Sequence, residues 1–289
     1  MAAMDEKIIF GDQNQWAETL TRNRKFFDLL PHLMELLSMT FSRQLKDAVP
    51  TDRVIFILGR CCVEDFFEII LLAGNGSGIA AAKVLRGLYE RAVTMVYLIN
   101  HPEEVQRFLD YSHVAEYKLM QAILENNGEE AISKDVRDSR ESRFNAVKDN
   151  YMIEYCKTCK AKRMNHTWSK LDIVSMAKKT PWLKKYLVPG YYIPMSYAHS
   201  TVHSMLARLE ANPEGGLNFS AGAQPRQADE SLKTAHILLL YIIREQLKHF
   251  KLNDPAMLRQ RAEREYPQIW PATDPEPRTS TTASGSPPP

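Results

Sequence analysis

The stretch Gly78-Ile-Ala-Ala-Ala-Lys-Val-Leu-Arg86-Gly-Leu-Tyr-Glu90-Arg-Ala-Val-Thr-Met-Val-Tyr-Leu-Ile-Asn100 decides the fold. Outside one polar stripe and the adjacent Arg91, its positions are apolar or small, the pattern of a helix near the centre of a fold rather than on its surface. At 100° per residue, Lys83, Arg86, Glu90 and Thr94 fall within about 80° of one another and form that stripe. Upstream, Ala73-Gly-Asn-Gly-Ser-Gly78 reads as a tight turn between helices, with Ser77 as N-cap. It is no phosphate-binding loop, because the Gly-x4-Gly-Lys-Ser/Thr spacing and a preceding strand are both missing.

Helical spacing continues in both directions, and strict strand alternation is hard to find. The spacing predicts helices over Gln15 to Val49 with a break or kink at Pro31, and from Thr51 or Asp52 to Leu72. Beyond Asn100 it predicts them over Glu103 to Asn126, Glu129 to Arg163 (highly charged), Ser169 to Lys179, Trp182 to Leu187, Pro194 to Ala211 and Asp229 to Phe250. A short charged helix follows, reaching Tyr266. Pro267 to Pro289 holds seven of the 16 prolines and a Ser/Thr tract, which predicts a disordered tail. The expectation is an all-α, bundle-like single domain over 6–250, with the short helix and the tail in 251–289.

Composition limits the function classes. The 289 residues are 44% hydrophobic and 25% charged, enough for a sizeable core. Lys plus Arg (37) nearly balance Asp plus Glu (35), so the chain is neither a basic nucleic-acid coat nor an acidic disordered protein. The longest apolar run, Ile237 to Ile243, is too short for a bilayer, and Asp5 and Glu6 stand where a signal peptide is basic. A cytoplasmic protein with no membrane partner is expected. Four cysteines, two of them adjacent, make no disulfide framework.

Two constellations carry candidate chemistry. A charged pair such as Arg86 and Glu90 on a largely enclosed helix needs partners to offset desolvation, and the stripe reads as a buried network, a lined cleft or a solvated face. The second is Tyr192-Ile-Pro-Met-Ser196-Tyr-Ala-His199-Ser-Thr-Val-His203, whose wheel places Tyr192, Ser196, His199, Ser200 and His203 on one side. Histidines four apart serve structure, acid/base or ligand-binding work, or a metal. A metalloprotease needs Glu after the first His, where Ser200 stands, and no Glu-x2-His supports a di-iron bundle. The two stripes are expected to face each other in a shared interior cleft. In an enzyme, His199 or His203 would move the proton, Arg86 would bind an anionic group and Glu90 would orient it.

Arg86-x3-Glu90, the following His101-Pro-Glu-Glu-Val-Gln-Arg-Phe108-Leu-Asp-Tyr111, and Tyr192-x3-Ser196-x2-His199 resemble a bacterial domain-of-unknown-function family, number fifty-six seventy-seven, from about Cys61 to Phe250. The resemblance implies an all-helical domain whose polar residues face one another, with either His199 or His203 as the family's histidine. It implies no established reaction. A remoter likeness is to the higher eukaryotes and prokaryotes nucleotide-binding (HEPN) domains, many of them metal-independent ribonucleases built around Arg-x(4 to 6)-His. Arg244-Glu-Gln-Leu-Lys-His249 and Arg107-x5-His113 have that spacing. This likeness implies an RNA-directed effector of stress or phage defence, in which Arg244 stabilises phosphate charge and His249 moves the 2′-hydroxyl proton.

Between Lys157 and Lys185, nine basic residues stand against Asp172 alone. Lys157, Lys160, Lys162, Arg163, Lys178 and Lys179, with Trp168 and Trp182, form a candidate RNA surface that would grip phosphates and stack bases. Cys156-Lys-Thr-Cys159 with His166 imitates half a zinc site, but no second cysteine pair follows, so neither a metal nor a cofactor is expected. The alternative to an RNA effector is a small-molecule or partner-binding module that uses the Arg/Glu/Ser/His cleft without catalysis. A homodimer whose interface absorbs the polar stripes is the third possibility.

Overall fold

A computed structural model describes residues 11, 13–156, 158–199, 201–212, 215–219 and 222–271. Lys157, Ser200, the side chain of His203 and the tail from 272 lie outside the described residues. The fold is all-α. Helices α1 (Gln13–Arg22), α2 (Arg24–Phe41), α3 (Pro50–Gly74), α4 (Gly78–Asn100), α5 (Val105–Asn127) and α6 (Lys134–Val147) occupy the first half. A hairpin of β1 (Met152–Glu154) and β2 (Lys162–Met164) follows, pairing Met152 with Met164 and Glu154 with Lys162. The second half holds α7 (Ile173–Lys178), α8 (Pro181–Lys185), α9 (Ile193–Ala198), α10 (Val202–Leu206), the hairpin β3 (Leu209–Ala211) and β4 (Leu217–Phe219), α11 (Pro225–His249) and α12 (Ala256–Ile269).

The centre is α4, packed by α3, α11, α7 and α9. Leu85, Leu88, Tyr89, Val93, Met95 and Leu98 are all at most 2% exposed. Each such side chain contributes about 1.5–3 kcal/mol on leaving water, which is why this helix organises the others. The α3–α4 turn is as tight as its glycines require: Gly76 has φ +72°, the left-handed region that a side chain disfavours. Ser77 precedes α4 but its hydroxyl makes no capping bond; the Ile79 N–H donates instead to Gln224 Oε1, 3.4 Å away at the start of α11.

Three expected helices are shorter than their apolar patterns, each for a local reason. The first segment breaks at Asn23, whose amide bonds Thr19 O and, at 2.7 Å, Asp229 Oδ1 on α11. It ends at Phe41, while α2 passes through Pro31 unbroken. The charged segment from Glu129 is helical only from Lys134 to Val147. Fully buried Tyr151 then donates to Arg107 O at 2.6 Å, pulling the chain onto α5 and into the β1–β2 hairpin. The Pro194 to Ala211 helix stops at His199, which is extended (φ −106°, ψ 151°). There Thr201 donates to Ser196 O and accepts from Ser204 N–H, side-chain bonds that compete with a continuous helix. The helix beyond residue 250 runs to Ile269 and packs on α2 and α11.

Candidate functional site: the Arg86–Glu90–His199 cluster

Arg86 and Glu90 lie one turn apart on the face of α4 turned toward α9. Arg86 Nε donates to Glu90 Oε1 at 2.7 Å, and Nη1 lies 3.3 Å from His199 Nε2. The guanidinium carbon stands 5.3 Å from the centre of the Tyr191 ring, within cation–π range. The side chains of Arg86 and Glu90 are 26% and 34% exposed, so the cluster is an open-sided cleft rather than a sealed interior network. An arginine has no acceptor, so Arg86 donates to His199 Nε2 and the imidazole proton sits on Nδ1.

What positions His199 is the segment over Tyr89. Tyr89 is fully buried, its hydroxyl donates to Leu183 O at 2.7 Å, and burial raises its pKa well above the ordinary phenol value. A π-helical turn, Val188–Tyr192, crosses the face of this ring so closely that a Cβ on Gly190 would come within 2.6 Å of it. That crossing sets Tyr191 under Arg86 and starts α9, at whose end His199 hangs. Ser196 does not join the cluster through its hydroxyl, which donates to Ile193 O at 2.7 Å. Thr94 bonds its own helix, donating to Glu90 O, and Lys83 is exposed.

Two hollows flank the cluster. A groove of about 490 Å³ holds Glu90, Arg91, Thr94, Phe108, His166 and Trp168. At its wall Arg91 bonds Asp65, whose carboxyl is nonetheless pushed up to about 6 because burial outweighs the guanidinium. A second cavity, of about 500 Å³, lies between Leu85, Ile193 and Tyr197 on one side and Arg226, Glu230, Ser231 and Thr234 of α11 on the other. Ser231 and Thr234 are 2% and 5% exposed. Sequence reasoning missed Tyr191, Asp65 and these two hydroxyls. Small polar residues three apart on an otherwise apolar helix were the available signal for the last pair.

The other candidate residues are not brought together in this way. Arg244 bonds Glu245 and lies over Tyr241, whereas His249 Nε2 is 2.8 Å from Asp52 Oδ1. Five positions on one helix put them about 140° apart. Arg107 donates to Trp168 O and Asn150 O, and His113 Nδ1 is buried with no partner among the described residues. Lys160, Lys162, Arg163, Lys178 and Lys179 are exposed. Both tryptophans of the basic stretch pack inward: Trp182 stacks on Tyr241 at 3.9 Å, and Trp168 meets Phe108 and Tyr97 edge-on.

The chain belongs to a family of unknown function, DUF5677, whose profile matches residues 52–217. That span holds Arg86, Glu90 and His199 and ends before Arg244. No curated protein and no solved structure matches the chain. Among the described residues, no helix is long and apolar enough to cross a membrane, and no three His, Cys, Asp or Glu side chains group to hold a metal ion.

Proposed function

We propose that this chain is a small-molecule-binding module that takes an anionic ligand, a carboxylate or a phosphate, at Arg86 and His199 without acting on it. The observation that carries the reading is the shared guanidinium: one edge is held by Glu90 and another reaches His199, which leaves donors of a fixed fork free for an anion. The flanking groove is large enough for the body of a small ligand. Among the described residues, the Ser196 hydroxyl is committed to Ile193 O of its own helix rather than to the histidine.

The RNA-directed ribonuclease reading has less support. Its Arg244 and His249 point to different partners, and its tryptophans are spent on packing. Titration calorimetry with inorganic phosphate and with succinate tests the proposal: Arg86→Gln should weaken binding about ten- to hundredfold, the worth of a charge-assisted hydrogen bond. Retention of a single-stranded oligoribonucleotide that falls steeply with salt and vanishes on neutralising Lys160, Lys162 and Arg163, with no effect of Arg86→Gln on either anion, would replace this reading with the RNA one.

A further inference from the structure

The β1–β2 hairpin carries a cysteine pair that the Arg86 site does not use. Its strands close with Tyr155 N–H donating to Ala161 O at 3.0 Å, and the turn between them holds Cys156, Thr158, Cys159 and Lys160. Within the turn, the Cys159 N–H donates to Cys156 Sγ at 3.4 Å. Both thiols are free. The residue after the pair, Lys160, is left-handed at φ +52°. A lysine adopts that conformation at a cost of about 1 kcal/mol or more. Here the left-handed step turns the chain back into β2.

We propose that this turn is half of a tetrahedral zinc site, completed by the same two cysteines of a second copy of this chain. Four thiolates at about 2.3 Å around Zn²⁺ stand roughly 3.8 Å apart, and the Cys159 N–H bonded to Cys156 Sγ holds the two cysteines in one tight turn, as chelation of a single metal requires. The backbone N–H aimed at Cys156 Sγ offsets the negative charge that a thiolate ligand carries. One chain supplies only two ligands here, since no group of three metal-binding side chains exists among the described residues. A two-fold axis through the metal supplies the other two and makes the contact isologous.

Two surface features fit this occupant. A Zn²⁺ with four thiolates carries a net charge of −2, and Lys160, Lys162 and Arg163 of each hairpin are exposed beside it. The basic stretch then balances a metal cluster rather than a nucleic acid. Tyr155, one residue before the pair, is 62% exposed with Arg163 6.0 Å from its ring, leaving apolar surface that a facing hairpin would cover.

The test uses the full, reduced chain titrated with zinc chloride against a chromophoric chelator, with mass followed by light scattering. The expected result is one zinc per two chains and a dimer that returns to monomer on chelation. Cys156→Ser/Cys159→Ser should lose both zinc and dimer, while Cys61→Ser keeps both. Helix content by circular dichroism should stay unchanged in every variant, because the hairpin lies outside the core. Cobalt in place of zinc should show the charge-transfer bands of a tetrahedral thiolate centre. Zinc bound one per monomer, no zinc bound at all, a disulfide formed in place of zinc binding, or a dimer that survives the double variant would each overturn the proposal.

Discussion

The side-chain amide of Gln246 occupies the space above the Cα of Gly59. A Cβ on residue 59 would overlap Gln246 Nε2 and come within 2.8 Å of Phe41 Cε1. The amide is fully buried; it donates to Ile55 O at 2.6 Å and touches Met95 Sδ at 3.1 Å. One side chain of α11 thus ties together α3 and α4, the two helices on which the site is built. Gly59→Ala must move either this amide or the Phe41 ring, so it should destabilise the fold by about 1–3 kcal/mol in urea unfolding. Gly87→Ala is the milder counterpart. Its Cβ meets Arg91 Nη1 at 2.9 Å, the atom bonded to Asp65, so the helix-propensity gain of up to about 1 kcal/mol is offset by displacement of that ion pair and the net change should stay within about 1 kcal/mol of zero.

Asp65 and His236 should oppose each other between pH 4 and pH 6.5. Burial lifts Asp65 from 3.8 to about 6 against the pull of Arg91, so above pH 6 the fold carries the cost of an ionised, desolvated carboxylate. As pH falls through 6 the folded state takes up the proton first and stability rises, the gain being complete near 3.8. Asp65→Asn removes this rise, and its unfolding free energy should fall more steeply with acid than that of the natural chain.

Burial depresses His236 from 6.5 to about 4, while its Nδ1 accepts from Trp270 Nε1 at 3.1 Å and thereby docks α12. Its contribution is complete above pH 6.5. Below that the unfolded chain gains a proton that the folded chain refuses, so stability is lost down to pH 4. His236→Phe keeps the ring, loses the Trp270 bond at a cost of about 1 kcal/mol, and should flatten the acid limb. Urea midpoints at half-unit pH steps, for the natural chain and the two variants, check both statements. Parallel curves for all three would contradict the assignment.

The centre of the fold and half of the site were legible in the residues because both follow from one helix. In α4 the apolar circumference announced burial, and the polar remainder at i and i+4 announced the Arg86–Glu90 pair. His199 was legible as a residue but not as a geometry. The wheel that grouped it with Ser196 and His203 assumed one helix, and Thr201 and Ser204 end that helix with side-chain bonds that no periodicity records. The β1–β2 hairpin escaped for a similar reason: Glu129 to Arg163 is charged enough to pass for a solvated helix, and only the docking of Tyr151 on α5 ends it. Tyr191 and Asp65 are tertiary acquisitions, the first delivered by the crossing of Gly190 over Tyr89, the second by the packing of α3 on α4.

The tautomer of His199 gives the most direct test of the cluster. In the free chain Arg86 donates to Nε2, so that nitrogen accepts and the proton is held by Nδ1; a proton on both nitrogens would set two cations 3.3 Å apart. An anion bound to Arg86 reverses this. Seated on the free guanidinium donors beside the imidazole, it offers an oxygen that Nε2 can serve only by turning from Arg86 and carrying a proton. Long-range ¹⁵N–¹H correlation of the imidazole should therefore show the Nδ1–H form in the free chain and a shift toward a protonated Nε2 as inorganic phosphate is added. With Arg86→Gln the phosphate-dependent shift should disappear, while Ser196→Ala, whose hydroxyl serves only Ile193 O, should leave it unchanged. A free chain that already shows the Nε2–H tautomer would mean that Arg86 does not donate to this nitrogen, and the site would have to be rebuilt around Glu90 alone.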